Sequence, residues 1–327
     1  VEGRLRYEPS APKDLDNVVA YGDPLTQLAL PDPPKSGFRF IAPPRLMAPG
    51  EEWDGCLAWP IPEITNKVVY SARLYTTPGL HHSNVVTKPV DPESGPQPYP
   101  GCRPGEGDPF STIGDGIPDV LFANSTQIVG TEDIVFDAGM GYRLDTTREI
   151  TTSIHFLNTT TEPQVVEVAY DVFTAPETEL VTEVAPFVLD IMDFTVPPHA
   201  KARVEATCPV FGGNIVTLMP HTHDLIETFS VDLLGEDGSE TRVMTQDGYD
   251  TGSDIERFAP PISLEGKTDL HFACDFENPY DKAVHYGIGT DEMCILFGYV
   301  YPARQQFVGY VEREGDPCIG LQIGLLH

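Results

Sequence analysis

Basic residues are scarce in this chain: 20 Lys and Arg stand against 50 Asp and Glu, a formal net charge of −30 over 327 residues. Such a surface repels nucleic acid and anionic membrane and offers no phosphate-binding patch, so a nucleic-acid partner is excluded and the acidity reads as solubility. No run of about 18 apolar residues exists, so no helical membrane span is expected. The six cysteines form neither a CxxC pair nor a four-cysteine cluster, which removes the usual structural zinc and redox motifs. Without a GxSxG elbow, a Ser-His-Asp pattern, a phosphate loop or a dinucleotide fingerprint, hydrolase and nucleotide-dependent chemistry lack motifs. Heptads and repeats of roughly 20 to 50 residues are missing too, against solenoids and propellers.

What is abundant points to an all-β chain. The 32 Pro and 29 Gly interrupt any long helix, while 16 Phe, 13 Tyr and an apolar fraction of 40% supply enough hydrophobic surface to fold. At this length two cores are expected rather than one. We read an extended N-terminal arm over 1–37, a first domain over 38–195 and a second over 196–327, the break falling at Val196-Pro197-Pro198. Short runs rich in β-branched and aromatic residues predict strands at Val68 to Thr76, Leu80 to Val86, Ile150 to Phe156, Ile215 to Met219, Leu270 to Phe276 and Cys294 to Tyr301, among others. Two tandem antiparallel β-sandwiches, jelly-roll-like, fit this pattern.

The chain begins at Val1, as a processed product would, and three disulfides are the simplest use of the cysteines. A secreted, periplasmic or secretory-lumen location is therefore expected. Cys56 is a natural partner for Cys102, pinning the Pro- and Gly-rich excursion from Pro89 to Asp119. Asn124 and Asn158 each open an Asn-x-Thr sequon, relevant only in a eukaryotic secretory pathway.

Five of the nine histidines fall in suggestive places: His81-His82, His155 and His221-Thr222-His223. Residues i and i+2 of a strand share a face, so His221 and His223 can reach one metal ion; the same spacing also serves a plain polar strand face. Adjacent His81 and His82 point to opposite faces unless the backbone bulges, which Pro78-Gly79 upstream permits; otherwise one is a core and one a surface histidine. Met293 by itself reads as core filling. His199, His271 and His327 have no ligand-like context and read as structural or exposed. Asp224, Glu227, His285, Asp291 and Glu292 lie near the motifs and could orient ligands through hydrogen bonds, although most such charges are ordinary surface groups.

The order His81-His82, His155, His221-Thr222-His223, Asp291-Glu292-Met293-Cys294 resembles the copper type II, ascorbate-dependent monooxygenases, the family of peptidylglycine α-hydroxylating monooxygenase and dopamine β-monooxygenase. The resemblance covers roughly Phe38 to Cys318. It implies two copper ions facing each other across an interdomain cleft. His81, His82 and His155 would take electrons from a one-electron reductant such as ascorbate, and His221, His223 and Met293 would form the catalytic site that binds dioxygen. A thioether favours Cu(I), imidazoles alone suit cycling between Cu(I) and Cu(II), and zinc prefers His, Cys and carboxylate to Met. The resemblance further implies the pairings Cys56–Cys102, Cys274–Cys294 and Cys208–Cys318.

One departure narrows the substrate. Positions that hold a peptide carboxylate in the amidating enzymes are Met219, Ile295 and Phe297 here. A carboxylate facing them would be buried without its Arg partner, at a cost of several kcal/mol. The expected substrate is a small, neutral or apolar molecule rather than peptidylglycine. The alternatives are a non-catalytic copper-binding or copper-storage protein on the same scaffold, and a zinc-loaded interaction domain.

Overall fold

In a computed structural model, residues 28–89, 120–123, 130–248, 255–287 and 291–323 are described. Among them there is no α-helix, only two short 3-10 turns, Glu177–Glu179 and Ala303–Gln305. The all-β expectation holds.

The strands of the first half build two facing sheets. One runs Gly37–Ile41, Val168–Ala175, Val68–Thr76, Met140–Arg143, Thr182–Glu183, with Gly130–Val135 also paired to Val68–Thr76; the other runs Glu52–Pro60, Arg148–Leu157, Leu80–Pro89, Val120–Ala123. Their inner faces carry Phe40, Leu74, Phe156 and Tyr170, all nearly inaccessible to solvent. The second half repeats the plan. One sheet runs Glu256–Ser263, Asn214–His221, Ile295–Tyr301, Ala185–Ile191, Phe307–Val311, Ile319–Gln322; the other runs Ala200–Pro209, Lys267–Asn278, Ile226–Gly235, Glu240–Asp247. Phe187, Phe229, Phe272, Phe276 and Phe307 fill its core. Sheet membership changes between Glu183 and Ala185, ahead of the Pro-rich break at Val196-Pro197-Pro198.

The repeat is close enough to assign equivalent residues, although no periodicity in the sequence announces it. In the first half the ladder between Leu80–Pro89 and Arg148–Leu157 shifts register between the pairs Leu80↔Phe156 and His82↔His155. In the second, the corresponding ladder shifts between Ile226↔Phe276 and Thr228↔Asp275. Two residues further along sit Asn158 and Asn278, both buried. Asn158 Nδ2 donates to the carbonyls of Met47, Ala48 and Glu162 at 3.3, 3.0 and 2.9 Å, and its Oδ1 accepts from Thr160 N–H at 3.0 Å. Asn278 Nδ2 donates to the carbonyls of Val196, Pro197 and Lys282 at 3.1, 3.0 and 2.9 Å, and its Oδ1 accepts from Tyr280 N–H at 3.0 Å. Each asparagine pins the small ribbon of its own half, Arg45–Met47 with Gln164–Val166 or Thr195–Val196 with Val284–His285.

Strand Ile295–Tyr301 joins the two cores. Ile295, Phe297 and Tyr299 belong to the first-half cluster, while Leu296 and Val300 belong to the second. Alternate residues of a strand face opposite sides, so this sheet is buried on both faces and its strand reads as one apolar run. Tyr299 stacks edge-on against Phe136, ring centroids 4.7 Å apart. Two disulfides, Cys208–Cys318 and Cys274–Cys294, close around the second core as the resemblance implied. Cys102 lies outside the described residues, and so does the pairing expected with Cys56.

Candidate metal centre

Strand Asn214–His221 ends at the first histidine of the HxH motif. Thr222 and His223 belong to the turn that leads into Ile226–Gly235, so the expectation that both histidines ride one regular strand face is corrected. The cause is a buried carboxylate. Glu292 reaches across from the segment before Ile295–Tyr301 and accepts the backbone N–H of His223 through Oε2 and that of Leu225 through Oε1, each at 2.8 Å. These bonds satisfy donors that the sheet ladder would otherwise take, and the chain peels away from the strand.

The turn still brings the two rings together. His221 is 1% and His223 0% exposed, and their ring centroids lie 5.8 Å apart at 76° between planes. Two imidazoles bound to one ion through nitrogens about 2 Å from it have ring centres roughly 4.5 to 6 Å apart, so the spacing suits a shared metal. His223 Nδ1 lies 2.6 Å from the backbone carbonyl of Asp291. A carbonyl only accepts, so Nδ1 carries the proton and Nε2 is the nitrogen that would be left to bind an ion, the arrangement found behind metal-bound histidines. Met293, next but one after Asp291, is partly buried against the first-half core. Two buried imidazoles together with a thioether, which Met293 would supply, make up a donor set that fits copper.

Burial pushes the Glu292 carboxyl up to about 8, against the backbone N–H groups of Leu225, His223 and Met293 that favour its charged form. Of the other groups singled out near the motif, Asp291 acts through its carbonyl on His223 and through Oδ1 on the N–H of His285 at 3.0 Å. Glu227 pairs with Lys201 on the surface, and His285 Nδ1 meets Thr195 Oγ1 at 3.0 Å. Asp224 is exposed.

At the other histidine group, His82 stands directly opposite His155 across the ladder, and the register shift between Leu80 and His82 supplies the bulge that adjacent histidines need to escape strict alternation. His155 is 1% exposed, and its Nε2 lies 2.7 Å from Glu52 Oε1. With Nε2 on a carboxylate, a metal held by His155 takes Nδ1, and Glu52 fixes the ring from behind. Glu52 is a residue the sequence reading missed; its only signal is its position on a strand adjacent to that of His155.

Met219, Ile295 and Phe297, expected to line a substrate site, are 2%, 3% and 2% exposed and packed into the first-half core. Phe297 sets its ring edge-on to His221, centroids 5.9 Å apart. The histidine pair thus has an apolar flank at Phe297 and a polar one at Glu292 and the Asp291 carbonyl. His199 pairs with Asp281 at the surface. His271, read from the sequence as structural or exposed, sits half-buried between Asp232 and Glu205.

No family model matches this chain, and no curated protein matches it. Among solved structures, XepA, an exported protein of PBSX, is 10% identical over 82% of this chain and 88% of its own, with a TM-score of 0.23. The infectious bursal disease virus Gt strain structure is 12% identical over 83% and 74%, TM-score 0.19. An oxalate decarboxylase from Bacillus subtilis is 8% identical over 88% and 76%, TM-score 0.18. Superpositions this loose carry no argument about fold or function.

Proposed function

We propose that this chain is a copper-dependent monooxygenase that hydroxylates a C–H bond of a small, neutral or apolar substrate, using dioxygen and an external one-electron reductant such as ascorbate. The observation that carries it is the buried pair His221 and His223, with His223 Nδ1 held by the carbonyl of Asp291 two residues before Met293. His221, His223 and Met293 would hold one copper ion, and His81, His82 and His155 a second. Bound there, copper supplies one-electron chemistry and a site for dioxygen.

The chain's own contribution is orientation and exclusion of water. Glu292 and the Asp291 carbonyl fix the turn and the ring of His223, and Phe297 and the first-half core dry the flank of His221. Glu52 keeps the ring of His155 in one tautomer. Met219 on the strand of His221, and Ile295 and Phe297 on the strand paired with it, offer no partner to a carboxylate, which favours a neutral substrate. The two disulfides suit an oxidising compartment, which supports a secreted, periplasmic or secretory-lumen location. No helix among the described residues is long and apolar enough to cross a membrane.

The close packing of Met219, Ile295 and Phe297 favours one second reading, a copper-storage protein without turnover. Reductant-dependent oxygen consumption above that of free copper, lost in Met293→Ala, distinguishes the enzyme from the store. Product oxygen drawn from labelled water instead of labelled dioxygen would sink the monooxygenase reading.

A further inference from the structure

We infer that Asp232, His271 and Glu240 form a separate site for a divalent, borderline metal ion of the zinc type on the outer face of the second half. These residues come from three neighbouring strands, Ile226–Gly235, Lys267–Asn278 and Glu240–Asp247. Asp232 stands directly opposite His271 on one side and Arg242 on the other. Val231, Leu233, Leu270 and Phe272, their chain neighbours, all point into the core. By alternation Asp232 and His271 share the opposite, charged face.

On that face Asp232 is anomalous. It is only 2% exposed, although the surface around it is polar. Arg242 Nε donates to its Oδ1 at 2.6 Å, but Oδ2 has no hydrogen-bond partner among the described residues. The nearest candidate, His271 Nδ1, is 3.7 Å away, too far for a hydrogen bond. Arg242 balances the charge from one side, but the second oxygen remains desolvated without a donor, and such a buried acceptor is costly unless a further positive group meets it. Donor atoms of Asp232, Glu240 and His271 lie within 4.8 Å of one another, wider than the roughly 3.3 to 3.6 Å between tetrahedral ligands with bonds of about 2.0 to 2.2 Å, a difference that rotation of the exposed Glu240 side chain would close. Glu205 Oε2, 3.5 Å from His271 Nε2, stands where an orienting carboxylate belongs behind a ligand histidine.

The framework itself does not require the cluster. By the register equivalence of the two halves, Asp232 and His271 correspond to Val86 and Thr151, which face each other in the first-half ladder. The same fold is thus built there without charge. One imidazole and two carboxylates, with no thioether or thiolate, select zinc or manganese(II) over Cu(I), so this centre is chemically distinct from that of His221, His223 and Met293 and stands whether or not the copper reading does. Its effect is to clip three strands together, so that metal stabilises the folded chain by mass action.

The test is zinc titration of the metal-free full-length protein by calorimetry, with a parallel thermal melt in excess zinc. Glu240→Gln changes an exposed residue and leaves folding intact; His271→Ala removes the nitrogen ligand. Each is expected to weaken one zinc-binding event at least tenfold and to abolish a matching part of the zinc-induced rise in Tm. His221→Ala is expected to leave that event in place. If zinc does not bind to the wild-type chain at micromolar concentrations, or binds with the same stoichiometry and affinity in Glu240→Gln and His271→Ala, the site does not exist.

Discussion

Glu292→Gln in the metal-free protein separates two roles that one carboxyl plays. Glutamine has nearly the same shape but a single acceptor oxygen, so of the N–H groups of His223 and Leu225, each now bonded at 2.8 Å, one loses its partner. A buried donor left unsatisfied costs about 1 to 3 kcal/mol. The substitution also removes a titration. The Glu292 carboxyl sits at about 8 in the folded chain against 4.5 in the unfolded one, chiefly because it is buried. A raised folded value means that the native state holds the proton more tightly, so its stabilising effect is full below 4.5 and is lost as pH rises toward 8. At roughly 1.4 kcal/mol per pH unit, that interval amounts to about 5 kcal/mol.

The two effects oppose each other, and the balance changes sign with pH. At pH 5 the wild type is expected to be the more stable by about 1 to 3 kcal/mol. By pH 7 the roughly 3.5 kcal/mol lost above 4.5 exceeds that advantage, so Glu292→Gln is expected to overtake the wild type between pH 5 and 7 and to be clearly the more stable at pH 8. Urea denaturation of both proteins at pH 5, 6, 7 and 8, followed by near-ultraviolet circular dichroism, measures the difference. Parallel stability profiles, with no narrowing of the gap, would refute the idea that burial governs this carboxyl.

Further expectations follow from the two halves and their ties. Asn158 is buried with both ends of its amide engaged, so a chain expressed through a eukaryotic secretory pathway is expected to carry no glycan there; intact-peptide mass spectrometry checks it. Asn278→Asp and Asn158→Asp place an oxygen against three carbonyls and are each expected to cost about 3 kcal/mol or more, at similar size because the two geometries match; urea midpoints decide. Removing Cys274–Cys294, with a separation of 20, is expected to cost about 3 kcal/mol, and Cys208–Cys318, with a separation of 110, about 5 kcal/mol. Met293→Ala is expected to weaken Cu(I) at least tenfold while changing Cu(II) less, because a thioether discriminates by softness; competition with a chromogenic Cu(I) chelator reads it out.

The strands that could be read from the sequence are those whose side chains alternate or whose ends carry turn residues. Val68–Thr76 matches its expected limits because Pro78-Gly79 stops it and its inner residues are apolar. Ile295–Tyr301 is legible as an apolar run because both of its faces are covered. Ala185–Ile191 and Glu256–Ser263 were not anticipated: each contains proline, which argues against a strand, and Glu256–Ser263 tolerates two because it lies at a sheet edge. The histidine pair was legible as a chelate but not as a turn, since the N–H donors of that turn are taken by Glu292, 69 residues from His223. The duplication escaped notice because a ladder accepts many apolar residues. Only contacts of unusual geometry, such as those of Asn158 and Asn278, repeat in kind.

That duplication also separates what folding needs from what chemistry needs. His221 closes its strand opposite Ile295, as Thr76 closes the equivalent strand opposite Val168. His82 and His155 have Thr228 and Asp275 as their counterparts. Each half therefore builds the same sandwich without the histidines of the other, and a buried imidazole at either place is not a requirement of the framework. Replacing His221 by the residue its counterpart uses, His221→Thr, is expected to cost less than about 2 kcal/mol, reflecting the lost edge contact with Phe297 and a small cavity. Copper binding at that centre is expected to fall far more steeply, since two of three ligands cannot hold the ion alone. A variant that unfolds, or one that keeps its copper affinity, would show that His221 serves the core and not a metal.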